Sequence, residues 1–393
     1  MSSHPQQQTK KRTKPTRLHI ALVTTNELQD LSTRLVFAVI VINALLVTGM
    51  WAALNTVADG LLVGAGHFMA AMFNWWLLQQ LPKRNRSYGP DKPSALALSA
   101  LMGAELIIPG ILSLPFWTGW LFLALVTAVA YYATWIEPFR LEVTQQSLTT
   151  DKWPATDKPL RLLHISDLHV ERITQREREL NRLIENLQPD IIVFTGDFVN
   201  ISYNQDETAE QHVRDIISEW HAPLGVFCVR GTPNVEPAER VEAFVKDLDN
   251  LRLLNNQWIT LETPGGELNI LGLITTHDLP TDREALKKMM MVAPKRGLHL
   301  VLAHSPDIAP EASETGFDLY LCGHTHGGQV RLPLYGAFIT SSRLGKRFEM
   351  GRYTLKQMTL YVSRGVGLEG YGAPRARFLC KPEITLWEIN RIG

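Results

Sequence analysis

Apolar residues run almost unbroken through positions 34–136, then break into short groups separated by polar stretches. Residues 35–58 and 60–82 carry no charged side chain, and each is long enough to cross a hydrocarbon core as a helix. Residues 94–114 and 119–136 look similar, although Glu105 and Pro109 interrupt the first of these two. Four spans are predicted, with Trp51, Trp75, Trp76, Trp117, Trp120 and Trp135 near their ends, where indole rings favour the membrane interface. Glu105 reads equally as a functional intramembrane carboxylate or as an interfacial one beside the Pro-Gly break.

Beyond position 136 the period changes. Residues 139–143 alternate as a strand does, and a polar link follows through Lys158. Strand-like runs at 160–165, 191–195, 225–229, 268–273, 298–303 and 319–322 then alternate with helical stretches such as 177–187 and 238–248. Closing strands are expected near 359–362 and 384–389. This is an α/β pattern, with functional groups expected at the carboxyl ends of the strands. The predicted division is a basic cytoplasmic tail at 1–33, an all-α transmembrane region at 34–136 and a second domain at 137–393. No internal repeat is evident.

Charge changes the picture locally rather than globally. Lys plus Arg and Asp plus Glu both number 39, so no overall basicity marks a nucleic-acid partner, and none is expected. Lys10, Lys11, Arg12, Lys14 and Arg17 precede the first span, and Lys83, Arg84, Arg86 and Lys92 lie between the second and third. The links around Asp59 and Phe116 hold no basic residue, so the basic segments are expected in the cytoplasm. An even span count brings the domain after Ile136 to the same side. The expected address is thus the inner (cytoplasmic) membrane, multi-pass. A cleaved signal peptide is not expected, because a long polar stretch precedes the first apolar run. The Gln6-Gln7-Gln8 tract and nearby lysines read as a disordered tail attracted to anionic lipid. Cys228, Cys322 and Cys380 are too few for a disulfide framework and suit a reducing compartment as buried thiols.

Metal-binding residue types recur where the strands end. Asp167-Leu168-His169 follows the run 160–165, and Gly196-Asp197-Phe198-Val199-Asn200 follows 191–195. Ala303-His304-Ser305-Pro306 and Gly323-His324-Thr325-His326-Gly327-Gly328-Gln329 follow the later runs. Carboxylates and imidazoles gathered in this way suit a pair of divalent metals. In these motifs and their order, the chain from about 160 to 389 resembles the calcineurin-like metallophosphoesterases, in particular bacterial membrane-associated members. The resemblance implies a β-sandwich flanked by helices and two divalent ions, manganese, iron or zinc. It implies that Asp197 bridges the ions, that Asp167, His169 and His326 complete the first, and that His304 and His324 serve the second. Asp197, His304 and His324 are also the residues it makes catalytic, through a hydroxide generated between the metals. His164, His212, His221, His277 and His299 match no motif position, and no chemistry is assigned to them.

One motif departs from the family. Where Gly-Asn-His-Asp/Glu is expected, the chain reads Arg230-Gly231-Thr232-Pro233-Asn234-Val235-Glu236. Asn234 is the candidate replacement for the amide ligand of the second metal, and no local histidine remains to protonate a leaving group. A phosphate leaving group needs little such help, which favours pyrophosphate or activated-diester cleavage. Gln329, Arg331, Arg364 and Arg375 either hold phosphate oxygens or are solvated surface groups.

The expected function is therefore a membrane-anchored, divalent-metal-dependent phosphoesterase. Its phosphoester substrate is expected to be lipid-linked because of the membrane address. A UDP-2,3-diacylglucosamine pyrophosphohydrolase-like enzyme of lipid A synthesis is the specific alternative. A non-catalytic membrane scaffold that keeps the fold, and a phosphoprotein phosphatase, are two more. Residues 334–338, with Arg343, Lys346 and Arg347, are expected at an active-site rim facing lipid, or else as an ordinary core hairpin.

Overall fold

The helical half is built first by uninterrupted apolar sequence and then by its few polar and small residues. The structure is a computed structural model that describes residues 23–153, 158–263 and 265–391. Lys10, Lys11, Arg12, Lys14, Arg17 and the glutamine tract lie outside the described residues. Helix α1 (Thr33–Leu54) begins where the Ser32 hydroxyl accepts a bond from Leu35 N, and α2 (Val57–Lys83) begins at Thr56 in the same way. The two helices pack closely because Gly60 and Gly64 face Thr48: a Cβ on Gly64 would lie 1.8 Å from the Thr48 hydroxyl. Small residues one turn apart let helix backbones approach in this manner.

The third apolar segment forms as two pieces, α3 (Asp91–Glu105) and α4 (Ile107–Ile111). Pro109 cannot donate to the preceding turn, and the break is repaired by side chains from α1. Trp51 Nε1 donates to Leu106 O at 3.0 Å, and Asn55 donates to Gly110 O at 3.2 Å. Helix α5 (Phe116–Tyr131) continues through a π turn at Tyr132–Ile136 and a 3-10 turn at Glu137–Phe139. Among the described residues, four helical segments are long and apolar enough to cross a membrane: Thr33–Leu54, Val57–Lys83, Asp91–Ile111 and Phe116–Phe139. Leu45, Leu46, Leu61, Ile111 and Leu121 face outward. The tryptophans divide: Trp76, Trp117 and Trp120 are exposed, whereas Trp51, Trp75 and Trp135 are buried in the structure. Trp51 closes the broken helix, and Trp75 donates to Asp91 at 2.7 Å, so polar partners inside the bundle override the interfacial preference.

After Phe139 the chain forms two six-stranded sheets. The first has the order β1 (Glu142–Thr150), β14 (Glu383–Arg391), β2 (Leu160–Ile165), β3 (Ile191–Phe194), β4 (Val226–Cys228), β5 (Leu251–Leu253). The second runs β12 (Gly351–Leu355), β13 (Met358–Val362), β9 (Leu319–Cys322), β8 (Leu298–Leu302), β7 (Gly266–Gly272), β6 (Gln257–Thr263). Within them β2, β3 and β4 are parallel, as are β7, β8 and β9. These central strands are buried on both faces, which is why they read as continuous apolar runs. Leu160, Leu162, Ile191 and Val193 meet Leu268, Ile270, Leu298 and Leu300 between the sheets. Leu163, Ile165, Ile192 and Phe194 turn outward onto helices α6 (Gln175–Leu187) and α7 (Glu207–Ser218). The polar stretch after Val143 is not a link but the continuation of β1, which pairs in parallel with β14 through Thr150.

The helices and the sandwich are joined at one end of the bundle. The turn at 84–90, between α2 and α3, touches the domain through Asn85 to Ile173 O at 3.1 Å and Tyr88 N to Glu171 at 2.9 Å. Tyr203 OH adds a bond to Tyr88 O at 2.7 Å. On the other side Arg377 N donates to Ala133 O at 2.8 Å, and Cys380 N donates to the buried Glu137 carboxylate. Beyond His326 a short hairpin, β10 (Arg331–Leu332) and β11 (Gly336–Ala337), stands out from the sandwich. It is no core hairpin, since Leu332, Leu334, Tyr335 and Phe338 are exposed.

Candidate metal centre

Six side chains named from the sequence converge at the carboxyl ends of the parallel strands. Asp167 and His169 follow β2, Asp197 follows β3, His304 follows β8, and His324 and His326 follow β9. Five of the six sit on left-handed backbone, with φ of 50° at Asp167, 43° at His169, 59° at Asp197, 72° at His324 and 51° at His326. Non-glycine residues enter this region at a cost of about 1–3 kcal/mol each and persist only where their surroundings impose it. Here the imposition is visible. Asp167 N and His169 N donate to Gly196 O and Asp197 O, zipping the first two loops together. Gly231 and Gly323 let the remaining backbone come close: a Cβ on Gly231 would lie 2.0 Å from Asp197 Oδ1, and one on Gly323 would lie 1.9 Å from Asp167 Oδ2.

The donor atoms crowd at two points. His169 Nε2 and His326 Nε2 stand 2.9 Å apart, with Asp167 Oδ1 3.5 Å from His326 and Asp197 Oδ2 3.4 Å from His169. His304 Nε2 lies 3.3 Å from the same Asp197 Oδ2 and 3.2 Å from His324 Nδ1. Asp197 therefore faces both groups, as a bridging carboxylate must. Two sets of ligand atoms draw together, Asp167-His169-His326 and Asp167-Asp197-His304. His304 Nδ1 bonds to Thr195 O at 2.8 Å, which leaves Nε2 with its lone pair aimed inward. Nitrogens facing each other at such distances need a proton or a cation between them, so the donor set fits divalent ions.

The electrostatics agree with that reading. Burial opposes charge on His304, but Asp197 and Asp167 outweigh it and raise its pKa to about 10. Burial pushes the Asp197 carboxyl upward, yet His304 and His169 hold it far below the usual carboxylate range. Burial, reinforced by neighbouring imidazoles, keeps His324 and His326 well below the ordinary histidine value. Burial also raises Asp167, with Asp197 adding to the rise.

Asn234 is not among the converging groups. Thr232 O accepts from both Val235 N and Glu236 N at 2.9 Å, so the chain turns tightly after Pro233 and leaves Asn234 exposed. Thr232 stands at the cluster instead. Its N donates to Asp197 Oδ1 at 2.6 Å, and its hydroxyl lies 3.1 Å from His304 Nε2. Glu236 is buried beside it, accepting from Val199 N at 2.8 Å, and burial followed by the charge of Asp197 raises its pKa well above normal. The three arginines considered for phosphate are in ion pairs: Arg331 with Glu349, Arg364 with Glu142 and Glu383, and Arg375 with Glu171. Gln329 accepts from Glu369 N.

Two histidines gain roles that their motifs did not announce. His277, also on left-handed backbone, puts Nε2 3.4 Å from the Thr232 hydroxyl and its ring centroid 4.5 Å from that of His324. It follows β7, so applying the strand-end rule to that run would have found it. His164 lies between the sheets and starts a hydrogen-bond chain: its Nε2 meets Thr195 Oγ1 at 2.9 Å, Thr195 donates to Ser166 at 2.7 Å, and Ser166 donates to Asp167 Oδ2 at 2.5 Å. The chain orients Asp167 from behind.

These contacts generate three expectations. Asp197→Ala abolishes retention of both ions, read by elemental analysis of the purified protein; a variant that kept both would remove Asp197 as the bridge. Asn234→Ala leaves metal affinity within about twofold, whereas Thr232→Ala weakens the second ion by about tenfold, the scale of a supporting group; equal effects would reject the exchange of roles. For His164, burial lowers the pKa from 6.5 to about 3. The unfolded chain thus binds a proton that the folded one does not between those limits, and stability falls as pH drops below 6.5 by about 1.4 kcal/mol per unit. His164→Gln should flatten that slope in urea unfolding followed across pH, and an unchanged slope would show that His164 does not titrate in this way.

Comparison with known proteins gives the same assignment. Residues 160–328 match the family model described as calcineurin-like phosphoesterase. The chain is 29% identical over 267 residues to the uncharacterized metallophosphoesterase YkuE of Bacillus subtilis, covering 66% of this chain and 89% of that one. It is 28% identical over 261 residues to the phosphodiesterase YaeI of Escherichia coli, covering 66% and 92%. It is likewise 28% identical over 315 residues to the UDP-2,3-diacylglucosamine pyrophosphatase LpxG of Chlamydia trachomatis, covering 65% and 91%. With its motifs at the strand ends and a donor set fit for two divalent ions, residues 160–328 form a calcineurin-like phosphoesterase domain, and the chain is a metal-dependent phosphoester hydrolase.

Proposed function

We propose that this protein is anchored in the inner membrane by four helices and cleaves a phosphodiester or pyrophosphate bond of a lipid-linked substrate at the cytoplasmic face. The observation that carries the reading is the short path from donor set to bundle. Glu171, two residues beyond His169, accepts from Tyr88 N in the turn between the second and third helices, and from Arg375 at 2.5 Å. A hydrolase free to act on any soluble ester has no need of a site fastened beside the ends of apolar helices. Because the basic turn at 84–90 packs on the domain, turn and domain share one side, and the excess of basic residues favours the cytoplasm. The proposed units are the tail at 1–33, the helices at 34–136 and the hydrolase domain at 137–393.

When bound, two divalent ions supply positive charge to polarise a phosphoryl group and to acidify a water. The chain's residues set the geometry. Asp167, His169 and His326 form one cradle, His304 and His324 the other, and Asp197 spans both. Thr232 N fixes Asp197, and Thr195 O fixes the tautomer of His304. The turn after β4 holds no histidine, and the imidazole beside it, His277, comes from the loop after β7; a leaving group that departs with little protonation, such as a phosphate, makes the least demand on this arrangement. That favours a nucleoside-diphosphate lipid, the type of substrate for which the LpxG relative is named.

The test is turnover by the full chain in nanodiscs, stripped of metal and reloaded with manganese, iron or zinc, on a nucleoside-diphosphate lipid and on an aryl phosphodiester. Hydrolysis of the lipid should require metal and fall more than about 100-fold in Asp197→Ala, beyond the range of supporting groups. Activity confined to the aryl ester would reject the lipid assignment. For orientation, Ser341→Cys, exposed on the domain, should resist impermeant thiol reagents in intact cells and react after lysis. Labelling of intact cells would put the domain outside.

A further inference from the structure

Among the described residues, the hairpin after the last metal motif leaves its large apolar side chains exposed. Leu334 at its tip is fully exposed on left-handed backbone, and Leu332, Tyr335, Phe338 and Ile339 are exposed around it. Such a patch on a water-facing loop would be an aggregation liability. Its base, in contrast, is held firmly. Arg331 donates to Gly327 O at 2.8 Å and pairs with Glu349 at 2.9 Å, while Ala337 N donates to the same carboxylate at 3.1 Å. Gly328, two residues from His326, packs so closely on Ala337 that a Cβ would lie 2.5 Å from the alanine methyl.

Two features identify what covers the tip. The first is continuity with the helices. Val330 bridges to Phe378, Arg331 N donates to Phe378 O, and the Phe378 ring meets Tyr132 edge-on at 6.3 Å, at the end of the last apolar helix. Exposed Leu379 and Tyr131 extend the apolar surface across that junction. The second is a basic collar. Arg343, Lys346 and Arg347 are exposed beside the hairpin, and Lys346 donates to Tyr335 O at 2.6 Å with its ammonium 3.5 Å from the ring centroid. An apolar tip with cations at its base matches the acyl–headgroup boundary of an anionic bilayer.

We propose that the hairpin at 331–339 is a membrane wedge: Leu334, Tyr335 and Phe338 enter the bilayer crossed by the helices, and Arg343, Lys346 and Arg347 meet lipid phosphates. Because the base of the hairpin is continuous with the loop carrying His326, the wedge holds the mouth of the metal site at the lipid surface. This rests on the membrane-anchored reading above and adds how a lipid headgroup reaches the site.

The experiment uses the full chain in phosphatidylcholine nanodiscs with and without phosphatidylglycerol. A nitroxide is attached at Leu334→Cys, with Lys288→Cys on an exposed helix as control; Cys228, Cys322 and Cys380 are buried. At 334 the label should be relaxed more by oxygen than by a water-soluble nickel complex, more deeply so with phosphatidylglycerol, and the reverse should hold at 288. A 334 label as accessible to nickel as the control overturns the wedge. So does exclusion of both reagents with spin–spin broadening, which marks a second copy on the hairpin. In parallel, Leu334→Ser/Tyr335→Ser/Phe338→Ser should lower the ratio of turnover on lipid to that on aryl diester by at least about tenfold through lost local concentration. An unchanged ratio also overturns the wedge. Failure of the wild type on lipid while the 334 label is immersed sinks the substrate reading and leaves the wedge standing.

Discussion

The arrangement turns on lone pairs forced together. Imidazole nitrogens 2.9 and 3.2 Å apart, with two buried carboxylates alongside, repel one another unless a positive charge lies between them. Much of the surrounding structure reads as the means of enforcing that crowding. Left-handed turns aim the side chains inward, glycines bring loops into contact, and hydrogen-bond chains from His164 and Thr195 hold ligands from behind. Because the donor set is assembled by the fold, folding and metal affinity are linked through it.

The same economy appears at the junction with the helices. The contacts named there are hydrogen bonds, from part-buried groups on the turn at 84–90 and from a buried carboxylate at Glu137, and they fix direction more strictly than apolar packing does. Glu171 receives a backbone N–H from one side and the Arg375 guanidinium from the other. Glu137 is buried at the end of the last helix and accepts from Cys380 N. Losing either carboxylate would leave buried donors unpaired, at about 1–3 kcal/mol each.

Much of this was legible in the sequence because the central strands are buried on both faces and their ends carry chemically specific residues. The runs at 160–165 and 319–322 coincide with β2 and β9. The alternating run at 139–143 meets β1 only at Glu142 and Val143, because Thr144 to Thr150 is largely polar, as an edge strand can be when one face meets water. The break near Pro109 was legible, but not its repair by Trp51, since nothing local announces a partner 55 residues away. The six motif residues converge, whereas Asn234 does not, because a turn closed by Thr232 O cannot be inferred from the order Thr-Pro-Asn. His277 escaped because it matches no motif position, and only the fold brings it to Thr232.

Arg377 shows what such a junction does. Fully buried, its side chain donates to the carbonyls of Arg364, Gly365, Gly367 and Cys380, while its own N–H reaches Ala133 in the last helix. Gly367 N in turn donates to Asp167 O. One cation thus clamps a helix end, a loop and the backbone of a metal-facing aspartate into a single lever. The end of that helix and the backbone of Asp167 are thereby positioned by the same buried residue, so a change at Arg377 is felt at both.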